Sequence, residues 1–318
     1  MKVYLIVTDK KTDITQLVQR IGWSGDEKQA ARKLDVEVLS STDPNIPKVN
    51  FSPGNMLSLS EDNGKELFSG VIFYQERSRS SNTLHVTAYD GLIYLLKSKG
   101  TYNFKKTTAE AIAAKIAGDF GVSVGELKKT GIVQNLLVNA QSPYESITEA
   151  YAAAGKQTGK KYTVRMQNGR LYVLEKGTVT ASLVLGSHLN MIGATYSESI
   201  ENMINRVRIY NDNGDSLGKV ENTDWLRRYG VLQAVYQKEQ YKDPKNVAKN
   251  MLNGLERNGN ISVLGNSDCI SGTSVRIQEP VTGMNGLFEI GTDCHTWHEG
   301  HYTMDLGLKF TDVETKKG

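Results

Sequence analysis

Two stretches near opposite ends of the chain carry the same strand-and-turn pattern, which limits the folds that the chain can adopt. Each stretch predicts a glycine turn followed by three antiparallel strands, and the matching positions are Gly54 and Gly272, Phe68 and Phe288, and Leu84 and Met304. The glycine and the phenylalanine are 14 residues apart in the first copy and 16 residues apart in the second. The phenylalanine and the third position, Leu84 or Met304, are 16 residues apart in both copies. Any antiparallel meander has turn residues and period-2 alternation, so the matched spacing is what predicts a repeated module.

A chain with two similar β modules has a consequence for symmetry. Three copies around a threefold axis would present six similar faces, which would let a trimer dock onto a six-fold ring. The repeat therefore predicts that the protein works as part of a symmetric oligomer.

Length and composition bound the class of protein. The 318 residues are enough for two or three domains, and 39% hydrophobic with 23% charged residues is typical of a folded globular chain. No apolar run approaches the roughly 20 residues of a membrane-spanning helix, and residues 1–7 predict a β-strand rather than a secretion signal. We therefore expect folding in a cytoplasm, without insertion into a membrane.

Residues 1–98 predict a first, mostly β domain. Asp62-Asn63-Gly64 is a tight-turn signal between two apolar strands. One short helix is expected near Glu27–Lys33. The strands are expected at residues 36–39, 56–59, 67–74 and 83–89.

Residues 99–190 switch to a helical period and predict a small α+β domain. Thr107 and Glu110 have the spacing of a capping box at the start of one helix. A second helix is predicted to begin after Ser142 and to end at Gly155. A hairpin that turns at Asn168-Gly169 follows, and it would pair Val164 with Val173 and Met166 with Leu171.

The charge of this middle region differs from that of the rest of the chain. Residues 97–185 hold 13 Lys and Arg against 6 Asp and Glu, a net charge of +7 in a chain whose total is +3. A total this small does not predict nucleic-acid binding, and the local excess predicts an electropositive surface, most simply a solvated one.

Residues 191–318 predict a second β domain, with a hairpin turning at Asn213-Gly214 and a helix near 243–257 that begins after Asp243. The later strands are expected at residues 261–264, 274–278, 287–291 and 302–310.

Near the end of the chain, cysteine and histidine cluster. Cys294, His295, His298 and His301 lie within eight positions, with Cys269 upstream, and these side chains are zinc ligands by type. In a hairpin, however, Cys294 and His295 would point to opposite faces. His295 and His301 could approach across it, but the spacing matches no standard zinc motif, so solvated turn histidines and a packed His295 are the simpler interpretation.

Other motifs for chemistry are lacking in the sequence. It has no nucleophile elbow, no phosphate-binding loop and no dinucleotide fingerprint, so it predicts neither catalytic residues nor a cofactor. Exposed aromatic residues often anchor protein interfaces, and the candidates of that kind are Trp225, Tyr229 and Trp297, while Trp23 fits a core position.

Several runs resemble those of a known family. The runs Gly22-Trp23-Ser24-Gly25-Asp26, 67–73, 88–95 and 286–290, together with His295-Thr296-Trp297, are similar in order and spacing to the XkdQ/YqbQ proteins of defective prophages. The resemblance extends over nearly the whole chain.

That family is similar to the late control protein D hubs and to the central hub of T4-like baseplates. The resemblance implies a homotrimer around a central channel, with two tube-type antiparallel β-barrel domains per chain that bracket the small α+β domain. It implies contacts with a tail tube protein and a spike protein, beside the tape measure and other baseplate proteins, and it brings no catalytic residues.

Two alternatives from other classes stay open. One is a cell-wall (peptidoglycan) binding module that uses the basic middle region as its reader. The other is a metal-dependent hydrolase that uses the cluster at residues 294–301.

Overall fold

The structure is a computed structural model that describes residues 1–8, 10–27, 29, 31–40, 47–78, 82–176, 180–239 and 242–310. These residues divide into two compact units. Residues 1–194 with 260–309 form the larger unit, and residues 195–259 with Phe310 belong to the smaller one. None of the described helices is long and apolar enough to cross a membrane.

The N-terminal part of the larger unit is built of strands, because β-branched and aromatic residues alternate there with polar ones. Their inward side chains form a core in which Leu34, Val36, Leu57 and Val86 are fully buried. The strands are β1 (Lys2–Val7), β2 (Lys10–Asp13), β3 (Val18–Asp26), β4 (Lys33–Leu39), β5 (Met56–Ser60), β6 (Glu66–Ser78) and β7 (Thr83–Tyr89). All five strands predicted for this region, including the one at residues 1–7, are confirmed.

The short helix expected near Glu27–Lys33 is wrong for the residues described there. The Gln29 amide donates to the Asp26 carbonyl at 3.0 Å, a turn bond, and Lys33 already begins β4. Lys28 and Ala30 lie outside the described residues. Tertiary bonds explain the difference, because both the backbone and the side chain of Arg32 are held by distant carboxylates.

The middle region is an α+β structure with its own core. Ile112, Ile116, Ile147 and Leu171 are fully buried in it. Its elements are α1 (Leu92–Lys97), β8 (Gly100–Thr108), α2 (Ala109–Asp119), β9 (Val124–Leu127), β10 (Val133–Gln141), α3 (Pro143–Thr158), β11 (Tyr162–Gln167) and β12 (Arg170–Glu175). The β11–β12 register is the predicted one, with Val164 opposite Val173 and Met166 opposite Leu171.

The helix ends follow local rules only in part. The capping box of Ser142 and Glu145 at the start of α3 is confirmed. The predicted end of that helix at Gly155 is wrong, because α3 continues to Thr158 and Gly159 adopts the left-handed conformation after it. The box predicted at Thr107 is also wrong, since Thr108 precedes α2 and makes no side-chain capping bond.

The remaining elements are β13 (Thr180–Gly186), β14 (Met191–Ser199), β15 (Arg206–Tyr210), β16 (Ser216–Glu221), α4 (Thr223–Tyr229), β17 (Gln233–Gln237), α5 (Pro244–Asn250), β18 (Glu256–Leu264), β19 (Ser274–Glu279), β20 (Met284–His298) and β21 (His301–Lys309). The smaller unit packs β15 and α5 around Val207, Ile209, Tyr236 and Ala248. The predicted helix after Asp243 is confirmed, with that aspartate as its cap, but it is shorter than 243–257.

Strands from both ends of the chain join one sheet. Its main path runs β14-β18-β21-β20-β3-β4-β7-β6-β5-β1-β2, and β19 pairs with both β20 and β13. The mostly β class with antiparallel sheets is confirmed. The expected tube-type antiparallel β-barrels are not closed within the described residues, because the path through this sheet does not return to its starting strand.

The predicted repeat is visible in the hydrogen bonds. Strands β5–β7 form the first module and β19–β21 the second. The Gly54 amide donates to the Ile72 carbonyl at 2.9 Å, and the Gly272 amide donates to the Ile290 carbonyl at the same distance. Directly after each isoleucine the ladder to the next strand shifts register, so both modules carry a bulge at the same place.

The third strands of the two modules also correspond as predicted. Ile72 pairs with Ala88 in the first module, and Ile290 pairs with Leu308 in the second. Each partner lies four residues after Leu84 or Met304, so the predicted match of those two strands is confirmed.

The predicted match of Phe68 with Phe288 is wrong by two residues. Phe288 pairs with Val275 at the place where Gly70 pairs with Leu57. The Phe68 ring lies over Gly70, with Cζ only 2.5 Å from where a β-carbon at Gly70 would stand. In the first module, the space beside Gly70 is therefore filled by the ring of Phe68, two residues earlier in β6.

Candidate functional site

The β20–β21 hairpin carries the predicted cysteine and histidine cluster. The hairpin turns at Glu299-Gly300. His298 and His301 flank this turn, pair with each other and are both exposed. Cys294 is exposed and His295 is fully buried, which confirms that they point to opposite faces. The expected approach of His295 to His301 is wrong, because His295 pairs with Met304.

Both ring nitrogens of His295 are engaged by protein groups. Nε2 lies 3.1 Å from the Cys269 carbonyl and Nδ1 lies 2.9 Å from the Tyr302 hydroxyl. Because a carbonyl only accepts, Nε2 carries the hydrogen, and in the neutral ring Nδ1 accepts from the tyrosine. Among the described residues, no three His, Cys, Asp or Glu side chains are placed to hold a metal ion.

Asp293 lies beside this histidine and forms a buried ion pair with Arg32. Arg32 Nη1 donates to Oδ1 at 3.0 Å and Nη2 donates to Oδ2 at 2.5 Å. The Ser271 amide donates to Oδ1 at 2.6 Å, and His295 Nε2 is 3.3 Å from Oδ2. Burial alone would raise the pKa of Asp293, but the charge of Arg32 and the bonds from His295 and Arg32 hold it well below its usual range.

The Arg32 guanidinium also packs on an aromatic ring. Its central carbon lies 4.0 Å from the ring centroid of Trp23, and the His295 ring is 4.9 Å from that centroid. Cation–π contacts of this kind are strengthened when water is excluded. Trp23 is therefore a core residue, as expected, and it belongs to a polar cluster of Trp23, Arg32, Asp293, His295 and Tyr302, called the buried cluster below.

Asp90 fixes the backbone next to the buried cluster. Its Oδ2 accepts from the Arg32 amide at 3.1 Å and its Oδ1 from the Leu92 amide at 3.0 Å, at the start of α1. Burial is the largest influence on this carboxyl and raises its pKa to about 7, against the opposing effect of the two backbone bonds.

A second ionic group ties the α+β structure to the sheet. Glu27, at the end of β3, is paired with Lys176, just after β12, and with Lys309 at the end of β21. Glu289 of β20 completes the group, at 3.7 Å from Lys176 and 3.5 Å from Lys309. These contacts hold together segments that are far apart in the sequence.

Neither thiol is activated for nucleophilic chemistry. Burial raises the pKa of Cys269 to about 12, and burial is also the largest influence that raises the pKa of Cys294. A nucleophilic cysteine needs the opposite shift, since the thiolate is the reactive form.

The aromatic interface candidates lie in both units. Trp225 and Tyr229 are half-buried on α4 of the smaller unit, where the Trp225 ring lies against Gly254. Trp297 belongs to the larger unit and stacks on Tyr302, with centroids 4.2 Å apart. Their role in an interface stays a prediction.

The ion pair at the centre of the buried cluster was not predicted. Arg32 and Asp293 are 261 residues apart, so no local pattern links them. The alternation along β20 is the one signal in the sequence, since it places Asp293 and His295 on the same face as Trp297.

The chain is similar in sequence to known proteins. A family model described as YqbQ-like matches residues 21–309. The phage-like element PBSX protein XkdQ of Bacillus subtilis is 28% identical over 314 residues, covering 94% of each chain.

Solved structures share the fold. A 43 kDa tail protein of prophage MuSo2 from Shewanella oneidensis superposes with a TM-score of 0.71 at 14% identity, covering 97% of this chain and 98% of that one. The E. coli c3393 protein, a component of the type VI secretion system described as similar to T4 tail proteins gp27 and gp5, gives a TM-score of 0.53 at 11% identity, covering 93% of this chain and 74% of that one.

Proposed function

This chain belongs to the YqbQ-like family, and from that premise we propose that it is a structural, non-enzymatic subunit in the baseplate hub of a contractile phage-type tail. Its XkdQ relative is named for a phage-like element, and the MuSo2 protein of the same fold is named as a tail protein. The proposed place of work is the baseplate of a phage or tail-like particle that is assembled in the host bacterial cytoplasm.

The observation that carries the proposal is the repeat. The first and second modules share the glycine-to-isoleucine bond and the bulge that follows it. In a homotrimer, the two modules of three chains would display six similar surfaces around the axis. Such a ring would adapt a six-fold tail tube to a three-fold spike.

The proposed partners follow from this arrangement. They are two further copies of the chain, the tail tube protein on one side and the spike protein on the other, with the tape measure and other baseplate proteins nearby. The likeness to the E. coli protein, itself described as similar to two T4 tail proteins, supports a tail assembly. Binding to specific nucleic acid and direct insertion into a membrane form no part of the proposal.

A mechanical role also agrees with the chemistry of the buried cluster. His295 and Asp293 are enclosed and bonded to Arg32, Tyr302 and backbone groups, so they hold segments together rather than face a substrate. A subunit that transmits the force of contraction needs such fixed joints.

The oligomeric state tests the proposal. Light scattering on the purified full chain over a range of concentrations should reveal a species of three times the chain mass of 35.2 kDa, and averaged images of assembled particles should place three copies around the tail axis. Trp225→Ala should weaken the trimer if this side chain is an interface anchor, since such anchors commonly contribute at least about 2 kcal/mol. Tyr94→Ala, another partly exposed aromatic, is the control.

A chain that stays monomeric at every concentration, and that occurs in particles in a number other than three, would contradict the hub proposal. The alternative of a wall-binding module is favoured only by the basic region at residues 97–185. Sedimentation of the protein with purified peptidoglycan, in a salt-dependent manner, would support that alternative.

A further inference from the structure

Three buried N–H donors without an acceptor belong to residues that line the same cavity. The donors are Trp23 Nε1, Arg32 Nε and Arg165 Nε, and none has a hydrogen-bond partner among the described residues. The cavity has a volume of about 380 Å³ and lies within the larger unit, between the β11–β12 hairpin and the sheet. Most buried polar groups are paired, so three unpaired donors around one space require a physical explanation.

Two of these donors are fixed in place by the buried cluster. Trp23 is 3% exposed and Arg32 is 8% exposed. Asp293 accepts one N–H from each terminal nitrogen of Arg32, and the buried Nε is the guanidinium nitrogen that has no acceptor among the described residues. Neither side chain can turn away to find another acceptor without breaking the ion pair or the cation–π contact.

Arg165 reaches the cavity from the other side. Alternation along β11 buries Val164 in the core of the α+β structure and directs Arg165 to the opposite face. No described carboxylate lies within 4.0 Å of its guanidinium, and its nearest hydrogen bond is a long one of 3.4 Å to Gln167. Burial first, and then the charge of Arg32, lower the pKa of Arg165, so this cation lies in surroundings that disfavour its charge.

The charged neighbours indicate what could enter. Lys65 lines the cavity and is held by Asp268 at 2.7 Å, so that lysine and that aspartate largely neutralise each other. Glu66 also lines the cavity, but it is an exposed residue whose carboxyl is influenced by the charge of Lys11. The unmet demand at the buried Nε of Arg165 is therefore for an acceptor that carries negative charge. The cavity is large enough for a small ion, and Leu67 and Ile270 form part of its apolar wall.

We propose that this cavity is a binding site for a small oxyanion of the phosphate or carboxylate class, held by the N–H donors of Trp23, Arg32 and Arg165. An oxyanion offers only acceptors, and arginine binds carboxylate and phosphate through charge-assisted hydrogen bonds. Bound there, it would connect β11 of the α+β structure to the sheet and stabilise the junction by mass action.

Calorimetric titration of the full chain with inorganic phosphate, and separately with acetate, tests the site. Ionic strength is held constant with chloride, so that general screening is the same in every titration. We expect saturable binding of at least one of the two anions to the wild-type protein. Arg165→Gln should weaken it about tenfold or more, the loss expected for one hydrogen bond to a charged group.

Arg170→Gln is the matched control, since this arginine is exposed in the same hairpin and does not line the cavity. It should bind the anion as the wild type does. Phosphate-selective binding would identify a tetrahedral oxyanion as the ligand, and acetate-selective binding a carboxylate.

The proposal is overturned if neither anion binds saturably to the wild type, or if Arg165→Gln binds as tightly as the wild type. Should Arg165→Gln fail to fold by circular dichroism, Arg165→Lys replaces it, because lysine keeps the charge but lacks the Nε donor. Anion-dependent thermal stabilisation should then be smaller in Arg165→Lys than in Arg170→Gln, and equal stabilisation in both also counts against the site.

Discussion

Arg32 and Asp293 form a two-pronged ion pair across the fold, with Nη1–Oδ1 at 3.0 Å and Nη2–Oδ2 at 2.5 Å. Arg32 precedes β4, and Asp293 lies on β20, which pairs with β3. The planar guanidinium matches both carboxylate oxygens, which lysine could not do. Both side chains are nearly fully buried, so removing either one leaves a charge in the interior.

Asp293→Asn should lower the free energy of unfolding by about 3–5 kcal/mol, because it leaves Arg32 buried without its counter-charge. Urea denaturation followed by circular dichroism measures this. The exposed pair of Arg20 and Glu37, at 3.8 Å, supplies the control, and Arg20→Gln should cost less than about 1 kcal/mol. Equal effects of the two substitutions would contradict the importance given to the buried pair.

The same aspartate predicts how stability changes in acid. The pKa of Asp293 is lower in the folded protein than in the unfolded chain, where it is about 3.9. Its contribution to stability is therefore fully present above that value and is lost as the pH falls towards the folded pKa. Between about pH 4 and pH 2, wild-type stability should fall more steeply than that of Asp293→Asn, and parallel curves would contradict this.

Because of Asp90, we expect the free energy of unfolding to change with pH in the opposite direction near neutral pH. Its pKa is raised to about 7 by burial, so the folded state binds this proton more tightly than the unfolded chain does. The free energy of unfolding should therefore decrease as the pH rises from about 4 to about 7. Asp90→Asn removes this titration, and its stability should change less over that range, even though its absolute stability is lower because one side-chain oxygen that accepts from a backbone N–H is lost. An unchanged slope would show that Asp90 does not titrate there.

Substitutions of two glycines, Gly70 and Gly118, distinguish the effect of close packing on stability from the effect of helix propensity. A β-carbon at Gly70 would lie 2.3 Å from the Tyr89 carbonyl oxygen, so Gly70→Ala should destabilise the protein by about 1–3 kcal/mol, by analogy with overpacked cores. Gly118, near the end of α2, has nothing within 4 Å of that position. Gly118→Ala should instead stabilise the protein by about 0.5–1 kcal/mol. Thermal melts of both variants measure the difference, and the same sign for both would contradict the packing at Gly70.

Substitutions of His295 and His298 test whether the histidines near the hairpin form a metal site or whether His295 is a packed core residue. His295→Ala should cost about 2–4 kcal/mol, since it leaves a cavity and unpaired groups in the buried cluster. His298→Ala should change stability by less than about 0.5 kcal/mol, because this residue is exposed at the hairpin turn. Elemental analysis of the full chain should find no stoichiometric zinc, and bound zinc that is lost in both variants would revive the metal hypothesis.

Local patterns in the sequence predicted elements whose determinants are close together. The capping residues Ser142 and Glu145 and the turn Asn168-Gly169 each act within a few positions, so they predicted the start of α3 and the β11–β12 register. The segment before Lys33 was mispredicted as a helix because Asp90 and Asp293, both distant in sequence, determine its conformation. Helix α4 was missed, since its cap, Asn222, stands in a polar run without a clear apolar period.

The candidate site was predicted in part. Opposite faces for Cys294 and His295 follow from strand alternation alone, and the structure confirms them. The partners of His295 could not be derived in this way, because Trp23 reaches it through the pairing of β3 with β20 and Cys269 reaches it from the loop between β18 and β19. The three unpaired donors around the cavity likewise depend on how β11 meets the sheet.

Strand β20 runs through both parts of the sheet and carries its bulge, directly after Ile290, between them. Its first residues, from Met284 to Glu289, pair with β19, and its last, from Thr292 to His298, pair with β3. Tension applied between these neighbours would act along one continuous strand. The inter-strand hydrogen bonds would then be loaded in shear and would have to rupture together. Pulling perpendicular to the strands would instead break these bonds one at a time. The two parts of the sheet are therefore expected to resist pulling as one unit.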